Sequence, residues 1–297
     1  MNEKNWQVSY VIKGLIVPKE GITYGNDIIV KRCGEDVEKA QFIMRVAEED
    51  VRKGESAITP KFENDVANML LLYAVEKGNF VALPRGYSAS LIKDDRPFGK
   101  ISPEKITIKV RADESHLTRI ISESSSALKY ALRAYESLKC VFEDDSKAFL
   151  RHGLKYYYMA LGEHDIQRKV IDLFIALEAL FSAGEEIRFR TSLRIASLLG
   201  FLGLDKKEVF DTMYELYNKR SKIVHGVESV DVSLDEVFKL ERYLRDCFRV
   251  FLYLDKGKDD FINMLDICLI DEEVSLRLKE AIVNAYKRWE KERIGSK

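Results

Sequence analysis

At 297 residues, 46% hydrophobic and 33% charged, the chain has room for two domains of ordinary size and is too apolar to remain disordered. Its formal net charge of -1 is spread evenly, with 18 Lys/Arg against 18 Asp/Glu in residues 1–115 and 30 against 31 in the remainder. That balance excludes a basic arm, so a contact with nucleic acid has to come from a local patch rather than from bulk attraction.

All five prolines (Pro18, Pro60, Pro84, Pro97 and Pro103) lie in the first 103 residues. Proline blocks helix interiors, and its disappearance together with long stretches of 3.6-residue periodicity predicts an α+β chain. A mixed domain over residues 1–115 gives way near Asp113–His116 to an all-helical domain over 116–297. In the first domain Trp6–Val17, Asp27–Cys33, Gln41–Glu48, Phe80–Leu83, Tyr87–Ile92 and Lys105–Arg111 read as strands, rich in Val and Ile and bounded by Gly, Pro, Asp and Asn. Phe62–Lys77 has leucines and valines at helical spacing and should pack on the sheet. The segment carries no phosphate loop, no G-x-G-x-x-G and no clustered His or carboxylates. Phe80, Tyr87 and Phe98 read as core aromatics, with a ligand surface as the alternative. By elimination, the expected role of this domain is recognition.

The second domain opens with helices over Leu117–Cys140 and Asp145–Leu161, the latter ending near three consecutive tyrosines, Tyr156, Tyr157 and Tyr158. Three adjacent side chains point in different directions, so some are core and one is exposed. The helix His164–Ser182 contains V-I-D-L-F-I-A-L-E-A-L-F, apolar nearly all round, and should be the centre of a bundle. Its Glu178 either has a raised pKa or pairs with a cation, and as partner Arg194 is expected ahead of Arg220. Helices over Glu185–Leu199, Lys206–His225, Asp259–Ile270 and Glu272–Arg293 complete the pattern, with one from the capping box Ser233-Leu-Asp-Glu236 to about Asp255.

The helix Lys206–His225 departs from the ordinary. Asp205 is its N-cap, with Glu208 at the third position, and Gly226 can take the left-handed conformation that closes it. Val209, Met213, Leu216, Tyr217, Ile223 and Val224 form an apolar stripe, and Arg220 lies within it. An arginine there must meet a carboxylate, line a cavity or face a second copy of the chain. Ser221 and His225, four residues apart, share a face beside it. The helix dipole favours the protonated form of His225, which suits acid–base chemistry on a phosphodiester. The same letters also describe a helix that merely ends in a cation before glycine.

The motif R-S-K-I-V-H-G resembles the R-x4-H signature of the HEPN superfamily. With Y-E-L-Y-N-K ahead of it, I-A-L-E-A-L-F at 175–181 and L-R-I-A-S-L-L-G at 193–200, residues 165–255 are similar to the Apea-like HEPN group. The resemblance implies a helical bundle, a homodimer that brings two such helices together, and a metal-independent endoribonuclease needing no cofactor. Arg220 and His225 would be its catalytic pair, Ser221 and Glu178 auxiliary groups, and Lys219, Lys222 and Tyr217 substrate contacts. Many active members carry Asn, Asp or His directly after the arginine, where this chain has Ser221. The family also contains non-catalytic modules that bind RNA, a nucleotide or a partner protein. A sensing domain ahead of such a bundle is similar in arrangement to antiviral, abortive-infection toxins answering to a trigger or an antitoxin.

His116, His152 and His164 have no second His or Cys at metal-ligand spacing, so no metal is expected. Cys33, Cys140, Cys247 and Cys268 form no C-x-x-C pair, which points to reduced thiols and a cytoplasmic setting. The longest uncharged runs span ten residues, short of the roughly 20 a membrane helix requires, and the first residues lack the apolar core of an export signal.

Overall fold

A computed structural model of the chain describes residues 5–13, 15, 17–24, 27–33, 36–46, 55–78, 90–94, 125–182, 186–227 and 230–295. The chain has an α+β layout, an antiparallel sheet near the N-terminus and a helical bundle after it. By internal contacts it divides into one unit of residues 1–74 and 79–135 and a second of 75–78 and 136–297. The expected strands Phe80–Leu83 and Lys105–Arg111, the boundary at 115/116 and His116 lie outside the described residues.

In the first unit the strands are β1 (Asn5–Lys13), β2 (Ile22–Tyr24), β3 (Ile28–Cys33), β4 (Asp36–Val46) and β5 (Ser90–Asp94), in the order β2-β3-β4-β1-β5. Every pairing is antiparallel; Ser9 lies opposite Ile43 and Val11 opposite Gln41. Successive residues point to opposite faces, yet Gln7, Val8, Ser9, Tyr10, Val11 and Ile12 are all buried, so β1 is covered on both sides. Gln41 Nε2 donates to Ser9 Oγ at 2.7 Å, which satisfies two polar groups on one of those faces.

The helix α1 (Glu55–Lys77) starts seven residues earlier than its periodicity predicts, with Pro60 inside it. A proline close to a helix start removes a single ladder bond, which is tolerable. Glu63 of α1 comes close enough to Tyr10 of β1 to act on it. Burial, and then the neighbouring Glu63 carboxylate, push the Tyr10 hydroxyl up to about 12. The Tyr135 hydroxyl of α2 (Ser125–Glu143) donates to Asp65 of α1 at 2.5 Å.

In the second unit follow α3 (Ala148–Gly162), α4 (Ile166–Phe181), α5 (Ile187–Phe201), α6 (Lys206–Val224), α7 (Leu234–Tyr253), α8 (Lys258–Ile267) and α9 (Glu272–Ile294). A 3-10 turn over Asp145–Lys147 precedes α3. As its composition predicts, α4 is central and packs against α3, α5, α6 and α7. At Gly153 a Cβ would stand 3.1 Å from the Ala176 carbonyl oxygen, so glycine lets α3 approach α4 closely. The ring of Phe251 on α7 meets Phe149, Phe181 and Phe261 edge-on, at 6.1, 5.4 and 5.1 Å between centroids. Tyr157 and Tyr158 are core, while Tyr156 is half-buried against His152. Residues 75–78 group with this unit, where Arg249 donates to the Val75 and Glu76 carbonyls and lies 4.1 Å over the Trp289 ring.

The expected Arg194–Glu178 pair is corrected. Arg194, 2% exposed, grips both Asp266 oxygens at 2.7 and 2.6 Å and donates to the Phe181 carbonyl at 2.6 Å. Asp266 is 72 residues away, beyond what helical spacing can forecast. Arg194→Ala strands that carboxylate and carbonyl and is expected to cost about 3 kcal/mol, with Arg194→Met, which refills the volume, costing less. Urea unfolding of the full chain measures both, and a near-neutral Arg194→Met would mean that Arg194 supplies packing rather than a pair.

Candidate functional site

The sequence signals at both ends of α6 are realised. Asp205 accepts from the Glu208 backbone N–H at 2.8 Å, and Gly226 has φ of 75°. The helix ends at Val224, with His225 as C-cap. Its apolar stripe is shorter than periodicity predicts. Val209, Met213, Leu216 and Tyr217 are buried, whereas Ile223 is half-buried and Val224 is 51% exposed. The last turn of α6 therefore borders solvent, and Arg220 marks the edge of the core.

The structure brings Glu178, Tyr217 and Arg220 together. Tyr217 donates a hydrogen bond to Glu178 Oε1, and Arg220 Nη2 lies 3.4 Å from the same oxygen. Tyr217 and Arg220 are three residues apart on one helix face, so a single carboxylate on α4 reaches both. The Tyr217 ring is held edge-on by Phe174 at 4.9 Å, and the Arg220 guanidinium carbon stands 5.8 Å from its centroid. Burial, followed by the bond to Glu178 and its charge, pushes the Tyr217 hydroxyl well above its ordinary 10, against the smaller opposing pull of Arg220. The hydroxyl remains a donor, and its contribution to stability is complete below pH 10 and lost only above it. Arg220 is held by one long ion pair. Its buried Nε finds no hydrogen-bond partner among the described residues, and its side chain is 23% exposed.

The other candidates stand elsewhere. His225 is exposed, and its backbone N–H bonds the Ser221 carbonyl at 3.1 Å. At 100° per residue it lies about 140° round the helix from Arg220, and no hydrogen bond or ion pair joins them among the described residues. Ser221 is half-buried and Lys222 exposed. Lys219 is already engaged, with its Nζ 2.7 and 2.9 Å from the two Glu236 oxygens. Tyr217, 7% exposed, positions Glu178 and Arg220 instead of offering a substrate surface.

At the end of α6 and the start of α7, Val224, Val227, Leu234 and Phe238 are each between 48% and 58% exposed. A cleft of about 410 Å3 lies elsewhere, lined by residues of α8 and α9 together with Lys256, and includes none of the candidate residues. It mixes Arg277 with Glu280 and holds no convergent polar set, so the α6 end remains the better site. Among the described residues no three His, Cys, Asp or Glu converge as metal ligands, and no helix is long and apolar enough to cross a membrane.

No family model, curated protein or solved structure matches this chain. The functional reading therefore stands on the geometry at the α6 end and on the motif there. Sequence reasoning missed two features of it. One is the Lys219–Glu236 pair, which joins two helices; the other is a row of aromatic rings on α5 and α6, signalled only by Phe210 and Tyr214 four residues apart.

If one carboxylate serves both partners, their substitutions are coupled. Tyr217→Phe is expected to cost about 1.5 kcal/mol, and its loss combined with Glu178→Gln should fall short of the sum by about 0.5 kcal/mol or more. Denaturant unfolding of the two single variants and the double variant measures this, and additive losses would refute the bond from Tyr217 to Glu178.

Proposed function

We propose that the chain is a metal-independent RNA endonuclease of HEPN type that works as a homodimer, with the N-terminal unit sensing a trigger or restraining activity. The observation that carries this reading is Arg220, a guanidinium at the edge of an apolar helix face, held by one carboxylate oxygen with most of its donors unspent. Such a group is pre-positioned to bind an anion, and five N–H donors in a rigid fork suit a phosphate. His225, in solvent at the end of the same helix, is the available acid or base.

In this reading His225 takes the proton of a ribose 2′-hydroxyl, whose oxygen attacks the adjacent phosphorus. Arg220 stabilises the charge that grows on the phosphorane oxygens, and a second His225 returns a proton to the departing 5′-oxygen. The products are a 2′,3′-cyclic phosphate and a 5′-hydroxyl. The angle of about 140° between Arg220 and His225 on one helix favours a site shared by two copies, each completing the other. The half-exposed Val224, Val227, Leu234 and Phe238 supply apolar surface for that contact.

A second reading is a non-catalytic module that binds RNA, a nucleotide or a partner protein through the same groove. One observation favours it. Arg220 already meets Glu178, so its charge is partly compensated, and Ser221 beside it cannot serve as a second base.

Purified full-length protein incubated with total RNA, with and without EDTA, separates the two readings. Cleavage that survives EDTA, leaves cyclic phosphate ends and falls by about 10²- to 10⁴-fold in His225→Ala is expected. RNA that is bound but never cut, with binding lost in Arg220→Ala, would overturn the nuclease reading. Mixing Arg220→Ala with His225→Ala protomers tests the shared site. A mixed dimer holds one Arg220 and one His225 from opposite copies, so activity should rise above that of either variant alone while staying below a quarter of wild type, because the second His225 is missing, and no recovery would place Arg and His of one copy at each phosphate.

A further inference from the structure

Four planar groups line one side of α5 and α6. Phe189 meets Phe210 edge-on at 5.7 Å, and Phe210 stacks on Tyr214 at 5.7 Å with an interplanar angle of 21°. The Arg188 guanidinium carbon lies 4.7 Å from the Tyr214 centroid, and its Nη1 donates to Asn218 Oδ1 at 2.5 Å. This row runs outward. Phe189 is 48% exposed, Arg188 is exposed, and Phe210 and Tyr214 are half-buried, so the rings end in solvent rather than in the core. Core packing would account for Phe210 and Tyr214 alone. It does not account for a cation held over a ring by a neutral amide.

Among the described residues Arg188 meets no carboxylate, and its hydrogen bond goes to the neutral Asn218 amide. Phe210, Tyr214, Asn218, Ser221 and His225 recur at spacings of three and four, which places them along one face of α6. From Tyr214 to His225 that face is about 16 Å long at 1.5 Å per residue. A polyanion with flat side groups laid along it would reach His225.

We infer that Arg188, Phe189, Phe210 and Tyr214 form a stacking platform for the bases of single-stranded RNA, feeding the strand toward His225. The inference rests on the reading of this chain as an RNA-acting protein and adds where the bases sit. The exposed Phe189 ring can accept any base, since every base has a π-face, Phe210 and Tyr214 back it, and arginine contributes both a stacking plane and a phosphate contact. The platform therefore selects single strands over duplexes, whose bases are already stacked, and discriminates weakly among sequences.

The test uses the full chain carrying His225→Ala, so that the RNA stays intact, and follows fluorescence anisotropy of a short labelled single-stranded RNA and an abasic strand of equal length. The base-bearing strand should bind about 5- to 150-fold more tightly for each stacked base. Phe189→Ala and Tyr214→Ala should remove that difference without changing affinity for the abasic strand, and Phe189→Trp should keep it. Equal binding of both strands by the His225→Ala chain would overturn the platform. So would variants that lose self-association in sedimentation but not RNA affinity, which would make the row a protein contact. Bases that stack on RNA the native chain never cuts would retain the platform and sink the nuclease reading. Cutting that is indifferent to Phe189→Ala, with no discrimination by bases, would do the reverse.

Discussion

One carboxylate oxygen, Glu178 Oε1, organises the end of α6. It sits on α4, which packs against four other helices of the bundle. Tyr217 and Arg220 meet it from one face of α6, so the oxygen that settles the carboxylate also ties two helices together. The arrangement is unequal. The hydroxyl donates a hydrogen bond, whereas the guanidinium lies at 3.4 Å and leaves Nε unserved. The cation therefore keeps N–H donors that no described residue engages. A bidentate arginine, such as Arg194 on Asp266, has no such reserve.

The two arginines show how environment separates roles within one bundle. Arg194 is 2% exposed and spends its donors on a carboxylate and a carbonyl, which makes it a fastening. Arg220, at 23%, lies where the apolar stripe meets solvent. Around that point α6 offers a different surface on each side. Arg220 faces α4, Lys219 faces α7 through Glu236, and the line from Phe210 to His225 carries rings and an imidazole outward. One helix can thus anchor a core, pair with a neighbour and present an open track.

Much of this was legible in the amino-acid order, for local reasons. Asp205, Gly226 and the Ser233–Glu236 box are end signals whose physics is contained within a few residues, and all three are realised. The periodicity of α4 and of Val209, Met213, Leu216 and Tyr217 identified inward faces. Periodicity gives the side of a helix that faces inward, not where its neighbour stops, so Ile223 and Val224 emerge at the surface. Pairing between distant segments was not legible. Arg194 found Asp266 instead of Glu178 because the choice between two acids depends on how α8 docks. In the sheet, Ile22–Tyr24 is too short to show alternation, and the charged start of β4 at Asp36 reads as a loop although it continues the ladder with β1 and β3.

Glu236 holds two unrelated structures with one side chain. Its oxygens close the first turn of α7 through Ser233 and also receive Lys219, the residue before Arg220. Burial works to raise its proton affinity, but the bonds from Lys219 and Ser233 outweigh that and hold the carboxyl below the usual range. The support it gives is complete above its unfolded value near 4.5 and disappears as acidity carries it through the lower folded value. A single protonation therefore unfastens a helix start and an inter-helix strut together, and in acid the ground beneath Leu234 and Phe238 loosens in the same step as the ground beside Arg220.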